Sequence, residues 1–170
     1  EKNIIVLQVA NYQNIGGVSI DNKQIDTAYK YLNLAIVTSK NCGAKCSQFR
    51  LMALRLLATL YEQQKEYTKA EKLFNSIEAE IVSSTDTLII ASVLLYHAKS
   101  LSNLGKKELA IEKSEKALAL MRNFKGGYDL GFYATLAQLA ARREETGDYK
   151  GSTKLRKEML ELQAKRFKQE

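Results

Sequence analysis

The sequence predicts an all-α stack of four helical hairpins, eight helices in all. Three observations lead there. Apolar residues recur at helical spacing, and that pattern returns at intervals of 40 to 42 residues. The 170-residue chain has no proline, and no segment alternates cleanly between apolar and polar residues. Hydrophobic residues make up 45%, an ordinary share that supports a packed core and excludes a disordered chain. One domain spanning 1–170 is expected, with repeats at about 3–40, 47–84, 86–124 and 128–168.

The stretch 47–84 shows the unit most clearly. Leu51, Leu54, Leu57, Ala58 and Tyr61 share one helical face, and Ala70, Phe74, Ile77 and Ile81 share another. Only the polar QQKEYTK separates the two, which leaves room for a tight turn and makes an αα-hairpin. Ala70, just past the turn, anchors the register. Its equivalents are Ala28, Ala110 and Ser152, at spacings of 42, 40 and 42. Sixteen residues before each anchor stand Tyr12, Leu54, Leu94 and Leu136, all large. Twelve before stand Gly16, Ala58, Ala98 and Ala140, all small. Seven after stand Ala35, Ile77, Ala117 and Met159. Closely packed helices need small residues where their backbones approach and large ones on either side.

This large–small–turn–small order, with Gly105-Lys106-Lys107 and Gly147-Asp148-Tyr149 in the turns, resembles the tetratricopeptide repeat (TPR) family over roughly residues 5–165. The resemblance implies a right-handed α-solenoid of about four TPR-like hairpins. The period exceeds the usual 34 residues, so the helices are longer, and the family's proline is absent. The fourth repeat departs further, with Ser152 and Arg156 on its second helix, as a terminal helix would.

Each element follows from its residues. The first helix covers 3–20 with Ile4, Ile5, Leu7, Tyr12 and Ile15 apolar, and Gly16 falls at the close-approach register. Asp21-Asn22 ends it, and the second runs from Lys23 to Ser39 with Ala28, Leu32 and Ala35 inward. Ser47 is a natural N-cap for the third, and Thr85 or Asp86 for the fifth, which covers 86–104 and stops at Gly105. The sixth, 107–123, turns Ala110, Ser114, Ala117, Met121 and Phe124 inward, and Gly126-Gly127 breaks the chain. The seventh, 129–146, holds Leu130, Tyr133, Leu136, Leu139 and Ala140 and stops at Gly147. Asp148 caps the eighth, whose apolar face is Leu155, Met159 and Leu162.

No run of 18 apolar residues exists, so no segment reads as a membrane span. The chain starts at Glu1 without methionine, as a processed or excised fragment would, so both a cytoplasmic and a periplasmic or exported location stay open. The net charge is +7, but most cations sit beside acids, and charge alone does not make a nucleic-acid binder. The one basic concentration is KLRKEMLELQAKRFKQE, with six Lys or Arg against three Glu.

Little points to catalysis. Cys42 and Cys46 lack the spacing of common zinc or redox motifs, and His97, the one histidine, cannot complete a ligand set. The cysteines read either as ordinary loop thiols or as a disulfide across the loop. The loop is short, so neither reading makes them necessary for folding. His97 falls in an apolar register and reads as a packed side chain. DNKQID lacks the glycine and closing glutamate of a calcium loop, and Glu144-Glu145 reads as helix-end solvation. The sequence therefore assigns no enzyme activity, cofactor or metal.

What remains is binding. The TPR resemblance implies that first helices line a concave groove, here with Gln13, Asn14, Arg55, Thr59, Glu62, Tyr96, Lys99, Asn103, Gln138 and Glu145. Arg55 and Lys99, expected on one concave surface, would hold a carboxylate. Asn14, Asn103 and Gln138 would pair with a peptide backbone, and Tyr96 would stack. Chaperone-binding TPR domains clamp a Glu-Glu-Val-Asp tail with Lys and Asn where this chain has Gln13 and Gly17, so that ligand is not implied. The implied function is a non-catalytic scaffold binding a protein or peptide, its oligomeric state left open. The repeat period and charged last helix are also similar to TPR sensory regions of bacterial two-component kinases and helix-turn-helix regulators. A basic nucleic-acid-binding module is the third reading.

Overall fold

A computed structural model of the chain describes residues 2–81, 86–123 and 130–167. Among the described residues it contains helices and no strand. In chain order they are α1 (Lys2–Asp21), α2 (Ile25–Ser39), α3 (Ser47–Gln63), α4 (Tyr67–Ile81), α5 (Thr87–Asn103), α6 (Lys107–Arg122), α7 (Leu130–Glu145) and α8 (Tyr149–Phe167). A short 3₁₀ turn, Gly43–Cys46, precedes α3. The helices group into two compact units, Glu1–Ser84 and Thr85–Glu170.

The repeat register reappears in the turns. Each hairpin reverses through one residue of positive φ: Lys23 (59°), Lys65 (61°), Gly105 (75°) and Gly147 (83°), each five residues before its anchor. The next residue donates its N–H back to a carbonyl five residues earlier, Gln24 to Ser19, Glu66 to Tyr61, Lys106 to Leu101 and Asp148 to Arg143, at 2.8 to 2.9 Å. These are four copies of one Schellman closure, which satisfies the last carbonyls of each first helix. Glycine fits the left-handed position without strain. Lysine adopts it in the first two turns because the closure and the packed helices on either side demand it.

In the first unit α2, α3 and α4 follow the expected faces. Ala28, Leu32 and Ala35 are buried, as are Leu57, Ala58, Ala70, Phe74, Ile77 and Ile81. In α1 the buried side is Val9, Gly16, Ser19 and Ile20, and Ile4, Leu7, Ile15 and Val18 face outward. Gly16 is the close approach that its register implies. A Cβ there would lie 2.6 Å from Cγ of Leu32, a side chain that is itself fully buried, and 3.3 Å from the Leu32 nitrogen. Gly17 has only Leu56 near it, at 3.5 Å. Opposite outcomes are expected on thermal unfolding. Gly17→Ala should stabilise by roughly 0.5–1 kcal/mol through helix propensity, and Gly16→Ala should destabilise by roughly 1–3 kcal/mol through overpacking. Equal shifts for the two variants would remove the close approach from the argument.

Two local expectations are corrected. Ser47 does not cap α3: Cys46 holds the N-cap position, and the Ser47 hydroxyl donates to the Ala44 carbonyl at 2.9 Å. The cysteines are not loop thiols at the surface. Both are buried in the cluster formed by Val9, Leu32, Ala53 and Leu57, and the structure joins Cys42 to Cys46 with Cα atoms 5.7 Å apart. The 3₁₀ turn folds them inward, beneath the start of α3.

In the second unit Asp86 caps α5, its carboxylate accepting from the Leu88 and Ile89 N–H groups at 3.1 Å. Thr85, Phe124 and Gly126-Gly127 lie outside the described residues, as does the Leu130 side chain. His97 is buried in α5, as its register implies. The core gathers Leu94, Ala117, Leu118, Phe132, Leu136 and Leu139, with Leu155 from α8. Phe132 is more deeply buried than Tyr133, which the sequence placed inward.

Glu144 does more than solvate a helix end. It accepts from the buried Ser152 hydroxyl at 2.6 Å and from the Arg156 fork at 3.0 and 3.1 Å. These bonds, the Arg156 one first, hold the Glu144 carboxyl below its usual range. Asp148 accepts from the Gly151 N–H at 2.9 Å and pairs with Arg143. Those contacts, the backbone bond first, lower its pKa as well. The polar Ser152 and Arg156 of the fourth repeat thus have their partner in α7.

Candidate functional site

In the second unit a cleft of about 470 Å³ opens along α5 and α7. Its existence follows from residue size. On α5, Leu88, Ala91, Ser92, Leu95, Tyr96 and Lys99 share one face, and on α7 the facing positions are Gly131, Ala134, Thr135 and Gln138. The small residues at 91, 92, 131 and 134 leave the space that larger side chains would fill. Met121 from α6 closes the floor. Thr135 is buried beside it, its hydroxyl donating to the Gly131 carbonyl at 2.8 Å and lying 3.4 Å from the Met121 sulfur.

The polar groups sit toward one end. Tyr96, half-buried, and the exposed Lys99 line α5, and the exposed Gln138 lines α7. One turn beyond Gln138, Arg142 bridges the helices. Its Nε donates to the Ser102 hydroxyl of α5 at 3.2 Å, and its terminal nitrogens make long bonds of 3.4 and 3.5 Å to Gln138 Oε1. Burial lowers the Arg142 pKa, and nearby Glu145 opposes that shift. The guanidinium stays charged, since arginine does not deprotonate in proteins. Lys99 is the one charged residue that lines the cleft among the described residues, over an apolar floor.

Of the groove residues drawn from the sequence, Tyr96, Lys99 and Gln138 come together here. Asn103 and Glu145 are exposed at the last positions of α5 and α7. In the first unit Gln13 is half-buried and Asn14 exposed on α1. Thr59 spends its hydroxyl on the Arg55 carbonyl of its own helix, at 3.1 Å. Arg55 and Glu62 are buried, which corrects the picture of two charges presented to a ligand. The reason is that α1, α2 and α4 all pack on α3, and long side chains lie down under such neighbours. Arg55 belongs to the first unit and Lys99 to the second. Arg142 was missed by sequence reading, although its place four residues after Gln138 puts it on the same helical face.

Among the described residues no group of three or more His, Cys, Asp or Glu is placed to hold a metal ion, and no helix is long and apolar enough to cross a membrane. No family model and no curated protein sequence matches the chain. Solved structures do. The nearly identical TPR-like repeats of a Podosopora anserina protein named as a kinesin light chain match 91% of this chain and 74% of theirs, with a TM-score of 0.76 at 17% identity. BtubC (BKLC) from P. vanneervenii matches 92% of this chain and 63% of its own, with a TM-score of 0.80 at 19% identity. The MamA protein matches 95% and 94%, with a TM-score of 0.56 at 17% identity. The chain therefore has the all-α fold of TPR-like helical repeats.

Proposed function

We propose that the chain is a non-catalytic protein-interaction module whose α5–α7 cleft takes a peptide segment combining apolar side chains with a carboxylate. The observation that carries this is the composition of the cleft: an apolar floor, Tyr96, Lys99 and Gln138 at one end, and no lining acid among the described residues. Apolar burial supplies affinity, and the cation selects the charge of the occupant. Repeat scaffolds of this kind generally bind rather than catalyse.

The test is selection from a random peptide display library, followed by fluorescence anisotropy with the enriched peptides. Binders should combine Leu, Ile or Phe with Asp or Glu. Lys99→Glu should weaken them by roughly tenfold, since a single charge reversal in a partly desolvated site is worth about that much. Tyr96→Ala should weaken them comparably, with the helical spectrum unchanged. Binders indifferent to both substitutions would place the interaction elsewhere. Lys150, Lys154 and Lys157 on α8 keep a second reading in view, as a surface for a phosphate polymer. That reading requires affinity falling steeply with salt. The regulatory-region reading is compatible with the cleft and needs an output domain in the full-length sequence.

A further inference from the structure

The second unit carries an arginine where the repeat has a core position. Arg142 stands ten residues before the Ser152 anchor, and ten before Ala70 stands Leu60, which is fully buried. Ser102, to which Arg142 donates, stands eight before Ala110, and eight before Ala28 stands Ile20. Leu60 and Ile20 both belong to the core cluster of the first unit. The first unit thus fills these two register positions with apolar residues, and the second puts a guanidinium and a hydroxyl there. Packing does not call for that exchange, because apolar residues of similar size commonly match or exceed the stability that a buried charge gives. Arg142 is 8% exposed, and the groups it bonds, Ser102 and Gln138, are both neutral. One of them, Gln138, lines the cleft.

The consequence for Gln138 follows from counting donors. A guanidinium donates five hydrogens and accepts none. Both terminal nitrogens of Arg142 face Oε1 of Gln138, at 3.4 and 3.5 Å. The opposite setting of the amide would turn its N–H₂ toward a buried cation, which is repulsive, so even long bonds decide the choice. The Gln138 nitrogen, with two hydrogens to donate, is then the end left for the cleft. Lys99, at the same polar end, also donates only. We infer that Arg142 is a positioning residue that fixes Gln138 as a donor, so that this end of the cleft takes a carboxylate and refuses the carboxamide of the same shape. This rests on the α5–α7 cleft being the binding site. A carboxylate offers acceptors alone and meets both groups, whereas a carboxamide sets its own N–H₂ against one of them.

Two small probes test the assignment. N-acetyl-leucine carries a carboxylate, N-acetyl-leucinamide carries a carboxamide in its place, and both bring one isobutyl group for the apolar floor. Titrated into the isotope-labelled chain and followed by NMR, both should shift the Ala134 and Thr135 signals. The acid should bind about tenfold more tightly than the amide and should also shift the Gln138 side-chain N–H₂ signals. Arg142→Leu should bring the two affinities together. So should Arg142→Leu combined with Ser102→Ile, which installs the residues of the first unit and should keep the helical spectrum and the melting temperature. Gln138→Leu should lose the preference as well, although it leaves the arginine charge in place. A preference that survives Gln138→Leu, or that survives Arg142→Leu in a folded chain, would overturn the role of Arg142 and leave the cleft as the site. Equal binding of the two probes by the native chain would do the same. Probes that shift neither Ala134 nor Thr135 would overturn the cleft itself, and this inference with it.

Discussion

Truncating Phe132 to alanine is expected to cost about 3–5 kcal/mol of stability, the range found for deleting a buried aromatic ring. The ring is 1% exposed in α7 and packs within the cluster that holds Leu94, Leu136 and Leu139. Its removal forfeits the burial of the ring and leaves a cavity that the helices cannot close, because they are tied by the Arg122–Glu158 pair between α6 and α8 and by Glu144 between α7 and α8. Chemical denaturation of the variant should show a lower midpoint with little change in slope. Tyr133→Ala is the control. Its ring sits 6.3 Å away, edge-on, and is only half-buried, so the loss should be clearly smaller. The order separates two registers for α7. The sequence pattern placed Tyr133 inward, and a larger loss at Tyr133 would restore that reading.

The second large effect concerns Cys42 and Cys46. Replacing both with serine should lower stability by roughly 3–4 kcal/mol, through two contributions. Removing a bridge of sequence separation 4 releases loop entropy to the unfolded chain, about 2 kcal/mol by the chain-entropy relation. The new hydroxyl at position 46 then lies in a fully buried apolar site, at about 1–3 kcal/mol if it finds no partner. Replacing both with alanine isolates the first contribution, so the double alanine variant should fall between the native chain and the double serine variant. Reductant should move the native chain toward the alanine value and leave both variants unmoved. The short loop had suggested dispensable cysteines. That expectation considered loop entropy and took no account of burial, which is a property of the folded 3₁₀ turn.

The repeat was legible because it is a local property written four times. Helix length, hairpin turns and the small residues at Gly16, Ala58, Ala98 and Ala140 follow from spacing along one chain, and spacing is what sequence records. Gly105 and Gly147 announced their turns by residue type. Lys23 and Lys65 adopt the same left-handed conformation without announcing it, because there the Schellman closure imposes the backbone against the residue's own preference.

The site divided along the same line. Tyr96, Lys99 and Gln138, which the TPR resemblance placed on first helices facing one way, line one cleft. That Arg55 and Glu62 are buried was not, because burial depends on which neighbours cover a face, and three helices cover α3. Nor was the role of Arg142, which depends on Ser102 arriving from a helix 40 residues away. By itself the sequence determined an all-α helical repeat, for that rests on composition and period alone. The tertiary structure decided which small residues open a cleft and which close a core. Gly131 and Ala134 lie opposite Ala91 and Ser92 and leave a space, whereas Gly16 lies against Leu32 and leaves none. The residue types are nearly the same, and the difference is made by what packs across from them.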